Sequence, residues 1–202
     1  MSIRVGIFGG MFDPIHIGHC ILAEHFIEQA KLHVCYLIPA YQSPLRADGG
    51  HATPYQRLQM AQIVARTNPR LRALDIEIQR KDISYTIKTI EYLRVRRPSD
   101  QFYMVIGADQ VAQFTQWHRW QDILRQVVLV VAPRPGVDLD ATQKELERHG
   151  GCIIRLNMPL ISISSSMIRQ YRLEGRSIRY MVHDHVHRYI RRHRLYALQY
   201  ER

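Results

Sequence analysis

The sequence predicts an α/β fold in which a parallel sheet carries helices on both faces. Three observations predict it. Short apolar runs recur at Ile3 to Phe8, Val34 to Pro39, Gln101 to Ile106 and Val127 to Ala132. Stretches with helical spacing separate them, and Gly- or Pro-containing breaks close most of them. Strands that alternate with helices are joined by crossovers, and crossovers make neighbouring strands parallel. With 46% apolar residues among 202, the chain has enough material for a substantial core and is expected to be one domain spanning 1–202.

Taken in order, the first strand is expected at about 3–8. A helix follows from near Ile17 to Lys31, with Ile21, Leu22, His25, Phe26 and Gln29 at helical spacing. Val34 to Pro39 reads as a second buried strand, and Ala40 to Ala52, rich in Pro, Gly and charge, as a loop. Thr53-Pro54 opens a helix with an N-cap and an N1 proline. Leu71 to Ile78 alternates enough for a strand, and Ser84 to about Arg96 is helical. Gln101 to Ile106 is a strand ending at Gly107-Ala108-Asp109. A helical stretch near 110–124 holds Trp117 and Trp120, which on spacing alone read as core residues. Val127 to Ala132 is the most apolar strand, closed by Pro133-Arg134-Pro135-Gly136. A helix at about 138–149 and a strand at about 152–156 complete the alternation. Ser164-Ser165-Ser166 then reads as a helix start, and another helix runs from about Ile178 to His193, so a helical C-terminal piece of about 164–202 follows the sheet.

No apolar stretch approaches the roughly 20 residues that span a bilayer, and no leader pattern precedes the first strand, so no membrane partner and a cytoplasmic location are expected. Cys20, Cys35 and Cys152 are odd in number and widely spaced, which suits neither a disulfide framework nor a zinc site. The net charge of +10 is uneven: residues 169–202 hold nine arginines against Glu174, Asp184 and Glu201, or +6 of the total. No aromatic-rich motif accompanies that charge, so a nucleic-acid partner is not expected.

Open, doubly wound sheets bind ligands outside the carboxyl ends of their strands. Gly9 to His19 follows the first strand, Gly107-Ala108-Asp109 the middle one, Arg134 the next, and Ser164 to Arg169 the last. Paired glycines, Gly9 and Gly10, let backbone approach an anion, and free N–H groups at the following helix start point toward it. His16 and His19 add charge-assisted donors, and Gly18 leaves space for a flat base. At the other end, Ser164, Ser165 and Ser166 offer hydroxyls and orphan N–H groups, with Arg169 one turn in to balance phosphate charge. Asp109 can accept hydrogen bonds from sugar hydroxyls or cap a helix. Neither a P-loop nor a Gly-x-Gly-x-x-Gly fingerprint is present.

Gly9-Gly10-Met11-Phe12-Asp13-Pro14-Ile15-His16-Ile17-Gly18-His19 and Ile163-Ser164-Ser165-Ser166-Met167-Ile168-Arg169 resemble the two signatures of the bacterial nicotinate (nicotinamide) mononucleotide adenylyltransferases, within the His-x-Gly-His nucleotidyltransferase superfamily. Ser84-Tyr85-Thr86, Gly107-Ala108-Asp109, Trp117 and Arg134-Pro135-Gly136 fall between them in the family's order. The resemblance implies a Rossmann-like sheet. It places Gly9, Gly10, Phe12, His16, Gly18, His19, Gly107, Asp109, Arg134, Ser165, Ser166 and Arg169 on ATP, with His16, His19 and Arg169 catalytic. Tyr85, Thr86 and Trp117 would bind the mononucleotide, Trp117 by stacking on the pyridine ring. Where the family has Pro-His-Lys this chain has Ser43-Pro44-Leu45-Arg46: Arg46 is the cation available for the lysine, and the histidine has no counterpart. His183 replaces a usual proline, with no catalytic consequence expected.

The implied reaction is transfer of AMP from ATP to nicotinate mononucleotide, with pyrophosphate leaving and Mg2+ held mainly by the ATP phosphates rather than by protein ligands. The alternatives are another superfamily member, such as a pantetheine-phosphate adenylyltransferase or a cytidylyltransferase, and a non-catalytic nucleotide- or RNA-binding module. A class I aminoacyl-tRNA synthetase also carries His-Ile-Gly-His, but this chain is too short for an anticodon domain and has no Lys-Met-Ser-Lys-Ser loop.

Overall fold

The computed structural model describes residues 2–44, 50–134, 136–137 and 139–197. Strands β1 (Arg4–Gly10), β2 (Val34–Pro39), β3 (Leu71–Ala73), β4 (Gln101–Gly107), β5 (Val128–Ala132) and β6 (Cys152–Arg155) form a parallel sheet in the order β3-β2-β1-β4-β5-β6. That is the strand order of the Rossmann fold, which reverses direction between β1 and β4. Register runs from Arg4 opposite Gln101 to Ile7 opposite Met104, from Tyr103 opposite Val128 to Gly107 opposite Ala132, and from Val128 opposite Cys152 to Val131 opposite Arg155. Among the described residues, no helix is long and apolar enough to cross a membrane.

The chain packs as two compact units. The first contains the described residues of Met1–Gly9, Leu22–Tyr36 and Ser84–Leu160. Its core is built on Val5, Ile7 and Phe8 of β1, Phe102 to Ile106 of β4 and Leu129 to Val131 of β5, all buried. Helices α4 (Thr86–Arg96), α5 (Ala108–Val111), α6 (Trp120–Gln126) and α7 (Asp140–Arg148) belong to it. So does the C-terminal part of α1 (Ile17–Gln29), where Phe26 is fully buried. A Cβ at Gly6 would come 2.5 Å from Leu32 Cδ1 and 2.9 Å from Phe26 Cε1, so the glycine lets these side chains lie directly on β1. Burying Phe26 there is worth about 1.5–3 kcal/mol.

The second unit contains the described residues of Gly10–Ile21, Leu37–Ile83 and Ile161–Arg202, with α2 (Pro54–Ala65), α3 (Ile76–Arg80), α8 (Ser165–Leu173) and α9 (Asp184–Arg192). Thr53 caps α2 as expected and completes a capping box: its hydroxyl accepts from Gln56 N–H, and the Gln56 amide oxygen accepts from Thr53 N–H at 2.9 Å.

The structure departs from the sequence expectations at three places. The strand expected over 71–78 ends at Ala73, and Ile76–Arg80 is helical. Ile76, Glu77 and Ile78 are all buried, which a strand with one wet face does not allow, and the Asp75 carbonyl accepts from Gln79 N–H at 2.8 Å to close the turn. The single helix expected over 110–124 is three pieces: Ala108–Val111, a tighter turn at Phe114–Gln116, and Trp120–Gln126, the last break falling at Arg119, which takes a left-handed conformation and pairs with Glu91 at 2.9 Å and Asp122 at 2.7 Å. Trp117 is extended, and it and Trp120 are half-buried on different neighbours, rather than core residues sharing one helix face. The last helix starts at Asp184 rather than Ile178, since Tyr180 is left-handed (φ 68°) and His183 caps the helix, its Nδ1 accepting from His185 N–H at 3.2 Å.

Candidate active site

In the second unit, the turn after β1 is organised by Asp13. Its side chain is 2% exposed and accepts three hydrogen bonds: from His51 N–H (2.7 Å), Ala52 N–H (3.0 Å) and the Tyr196 hydroxyl (2.7 Å). Burial, followed by the Asp13 charge, pushes the Tyr196 phenol far above its ordinary range, so it stays a donor. Arg57, the largest fully buried side chain, donates to the carbonyls of Met11 (2.7 Å), Tyr41 (3.1 Å) and Ala52 (3.3 Å). Burial lowers its pKa and the neighbouring Asp13 opposes the fall.

The phosphate-type donors gather on this frame. Arg169 Nη1 donates to the Asp13 carbonyl at 2.7 Å and Nη2 to Ser166 Oγ at 3.2 Å, which leaves three of its five N–H donors for a ligand. Ser165 Oγ donates to the Pro14 carbonyl at 2.9 Å, and Ser164 caps α8 by accepting from Met167 N–H at 3.1 Å. The His16 and His19 rings lie 3.7 Å apart at 32°. His16 N–H donates to His19 Nδ1 at 3.2 Å, which puts the neutral ring's proton on Nε2, where it can be donated. Phe12 meets the His19 ring edge-on at 5.1 Å. A Cβ on Gly18 would come 3.1 Å from the His16 ring and 3.2 Å from Ile161, so any side chain there would crowd the histidine.

In the first unit, Gly9 stands exposed, with open space where a side chain would be. Gly107 ends β4, and Asp109 Oδ1 lies 3.5 Å from Arg134 Nε, both side chains half exposed or more. Beside them is a cavity of about 230 Å³ lined by Ala108, Val131, Arg134, Val137, Arg155 and Leu156. Pockets for whole small-molecule ligands are typically about 300–1,000 Å³, so this one suits a ring system rather than a complete nucleotide. Thr86 opens α4 and Tyr85 is its N-cap, the Tyr85 ring lying 4.6 Å from that of His118. Trp117 packs 5.2 Å from Phe114, and its indole N–H is buried without a hydrogen-bond partner. Arg46 lies outside the described residues.

Residues 7–171 match the cytidylyltransferase-like family model. The chain is 33% identical over 193 residues to a Bacillus pumilus protein named "Probable nicotinate-nucleotide adenylyltransferase", covering 96% of this chain and 98% of the relative. A Roseiflexus castenholzii protein of the same name is 38% identical over 197 residues, again with 96% and 98% coverage. The chain belongs to the nicotinate-nucleotide adenylyltransferase family. The family's fold is also seen in solved structures. The Plasmodium falciparum nicotinic acid mononucleotide adenylyltransferases complexed with APC and with NaAD each superpose with a TM-score of 0.78, at 17% and 19% identity, over 96% of this chain and 98% of theirs. The roles of Asp13, Arg57 and Tyr196 in this frame are what sequence reasoning missed. Asp13 sat inside the recognised motif without a role, and an arginine at 57 set against Leu58, Met60 and Ala61 was the available signal.

Proposed function

We propose that this chain transfers the adenylyl group of ATP to nicotinate mononucleotide in NAD biosynthesis, in the cytoplasm. A 5′-phosphate oxygen of the mononucleotide attacks the α-phosphorus of ATP. The new P–O bond forms as the bond to the β-phosphate oxygen breaks, giving nicotinate adenine dinucleotide and pyrophosphate. The attacking oxygen is already anionic near neutral pH, so no base is needed, and catalysis is positioning and charge stabilisation.

One observation carries the reading: Arg169 and Ser165 bond the carbonyls of Asp13 and Pro14, Ser166 bonds Arg169, and the His16–His19 pair follows two residues on. His19 Nε2 and His16 donate to the phosphates around the reacting phosphorus. Ser165, Ser166 and the three remaining Arg169 donors hold the outer phosphates. Gly9, Gly10, Phe12 and Gly18 shape the turn. Gly107, Asp109 and Arg134 take the ribose and base side of ATP, beside the ring-sized cavity. Tyr85, Thr86, Trp117 and Arg46 take the mononucleotide.

Mg2+ requires near-octahedral oxygen ligands. Among the described residues no group of three or more His, Cys, Asp and Glu side chains could hold a metal, and both Asp13 oxygens already accept hydrogen bonds. The nitrogen and hydroxyl donors of the turn suit phosphate oxygens, and Mg2+ held by those phosphates would neutralise part of their charge. The test is pyrophosphate release from ATP and Mg2+ with nicotinate or nicotinamide mononucleotide. Turnover with a higher kcat/KM for the nicotinate form is expected; no turnover with either refutes the proposal.

A further inference from the structure

The C-terminal turn reaches back into the phosphate frame. Its residues Arg194 and Tyr196 both take left-handed conformations (φ 50° and 61°), which side-chain-bearing residues avoid. Leu195 N–H closes the turn onto the Ile190 carbonyl at 3.0 Å, and Leu195 is buried. The strained turn delivers the Tyr196 hydroxyl to Asp13 Oδ1 at 2.7 Å, across 183 residues of sequence.

We infer that Tyr196 is a positioning residue for adenylyl transfer, clamping Asp13 so that the Asp13 carbonyl presents Arg169 to the nucleotide phosphates. The inference rests on the proposed activity and adds a residue to it. Asp13 is bound through both its ends: its carboxylate takes the phenol and two backbone N–H groups, while its carbonyl takes Arg169 Nη1 at 2.7 Å. The adjacent Pro14 carbonyl takes Ser165, and the His16–His19 pair follows two residues on. A rotation of Asp13 therefore displaces both the guanidinium and the hydroxyl that bracket the phosphate turn. Misplacing these phosphate-binding groups lowers the rate while the mononucleotide contacts stay in place. Removing the hydroxyl alone leaves the Tyr196 ring in place, and Asp13 keeps two N–H partners, so folding survives.

The test is Tyr196→Phe, with the exposed Tyr180→Phe as control. Tyr196→Phe should lower kcat about tenfold, equivalent to about 1.4 kcal/mol of transition-state stabilisation, with the mononucleotide KM and the melting temperature close to wild type. Tyr180→Phe should match wild type throughout. Because Tyr196 acts through Arg169, Tyr196→Phe should have a much smaller effect in an Arg169→Lys background; distant, independent sites would multiply instead. Wild-type kcat and ATP affinity in Tyr196→Phe, or independent effects of the two substitutions, overturn the inference. If the wild-type protein turns over neither mononucleotide, the proposed function fails on its own. ATP affinity by calorimetry then decides the clamp: a several-fold loss in Tyr196→Phe that vanishes with Arg169→Lys supports it, and an unchanged or undetectable affinity overturns it.

Discussion

Arg57→Met would test whether the phosphate turn is held from beneath. The substitution keeps most of the side-chain stem and removes every donor. Three carbonyls, those of Met11, Tyr41 and Ala52, each lose an Arg57 hydrogen bond at once. A net contribution near 1 kcal/mol for each hydrogen bond sets the lower bound, and the larger desolvation cost at the buried Ala52 acceptor and the loss of hydrogen bonds to a charged donor raise it, to about 3–6 kcal/mol in all. Natural domains hold only about 5–15 kcal/mol, so the variant keeps a reduced margin. With a urea m-value of about 2–3 kcal/mol/M, the unfolding midpoint should fall by about 1–3 M. Arg57→Lys keeps the charge but concentrates its donors at one point, so it reaches fewer of three carbonyls that come from separate segments, and should lie between the two. Urea melts followed by circular dichroism read all three proteins. A midpoint for Arg57→Met within about 0.3 M of wild type would show that water satisfies the carbonyls and that Arg57 does not hold the turn.

Three further outcomes are expected. His19→Ala should lower kcat about 10²–10³-fold, the usual cost of one transition-state phosphate contact, and an unchanged kcat in steady-state assays removes His19 from the mechanism. Asp109→Ala should raise the KM for ATP about 10-fold or more, as loss of a hydrogen bond to a charged group does, while stability moves by less than about 0.5 kcal/mol because its ion pair with Arg134 is exposed; an unchanged KM would leave Asp109 out of ATP binding. Burial raises the Cys20 thiol to about 11 and the fully buried Cys35 higher still, whereas Cys152 is exposed. A raised thiol pKa means less thiolate below it, so at pH 8 only about one Cys20 in a thousand is reactive. Alkylation followed by mass spectrometry should label Cys152 first and Cys20 faster as pH rises toward 11; early labelling of Cys20 at pH 8 would contradict the burial.

Much of the architecture was legible because its causes are local. Thr53-Pro54 caps and opens α2 with groups three residues apart, and Ser164 caps α8 the same way. The failures have a common cause in tertiary partners. Leu71 to Ile78 alternates on paper, but the packing that buries Ile76, Glu77 and Ile78 together selects a helical turn. Trp117 and Trp120 share a helical spacing, yet a left-handed Arg119, paired with Glu91 and Asp122 from separate elements, lies between them.

The candidate site divides along the same line. Sequence by itself determined the chemical inventory at the strand ends: paired glycines, two histidines at i and i+3, and hydroxyls with an arginine one turn into a helix. These follow from spacing along one element. Only the tertiary structure decided what holds them. Asp13 meets Ala52 across 39 residues, Arg169 across 156 and Tyr196 across 183. A buried carboxylate must find donors wherever the fold supplies them, and local periodicity does not show which distant segments those are.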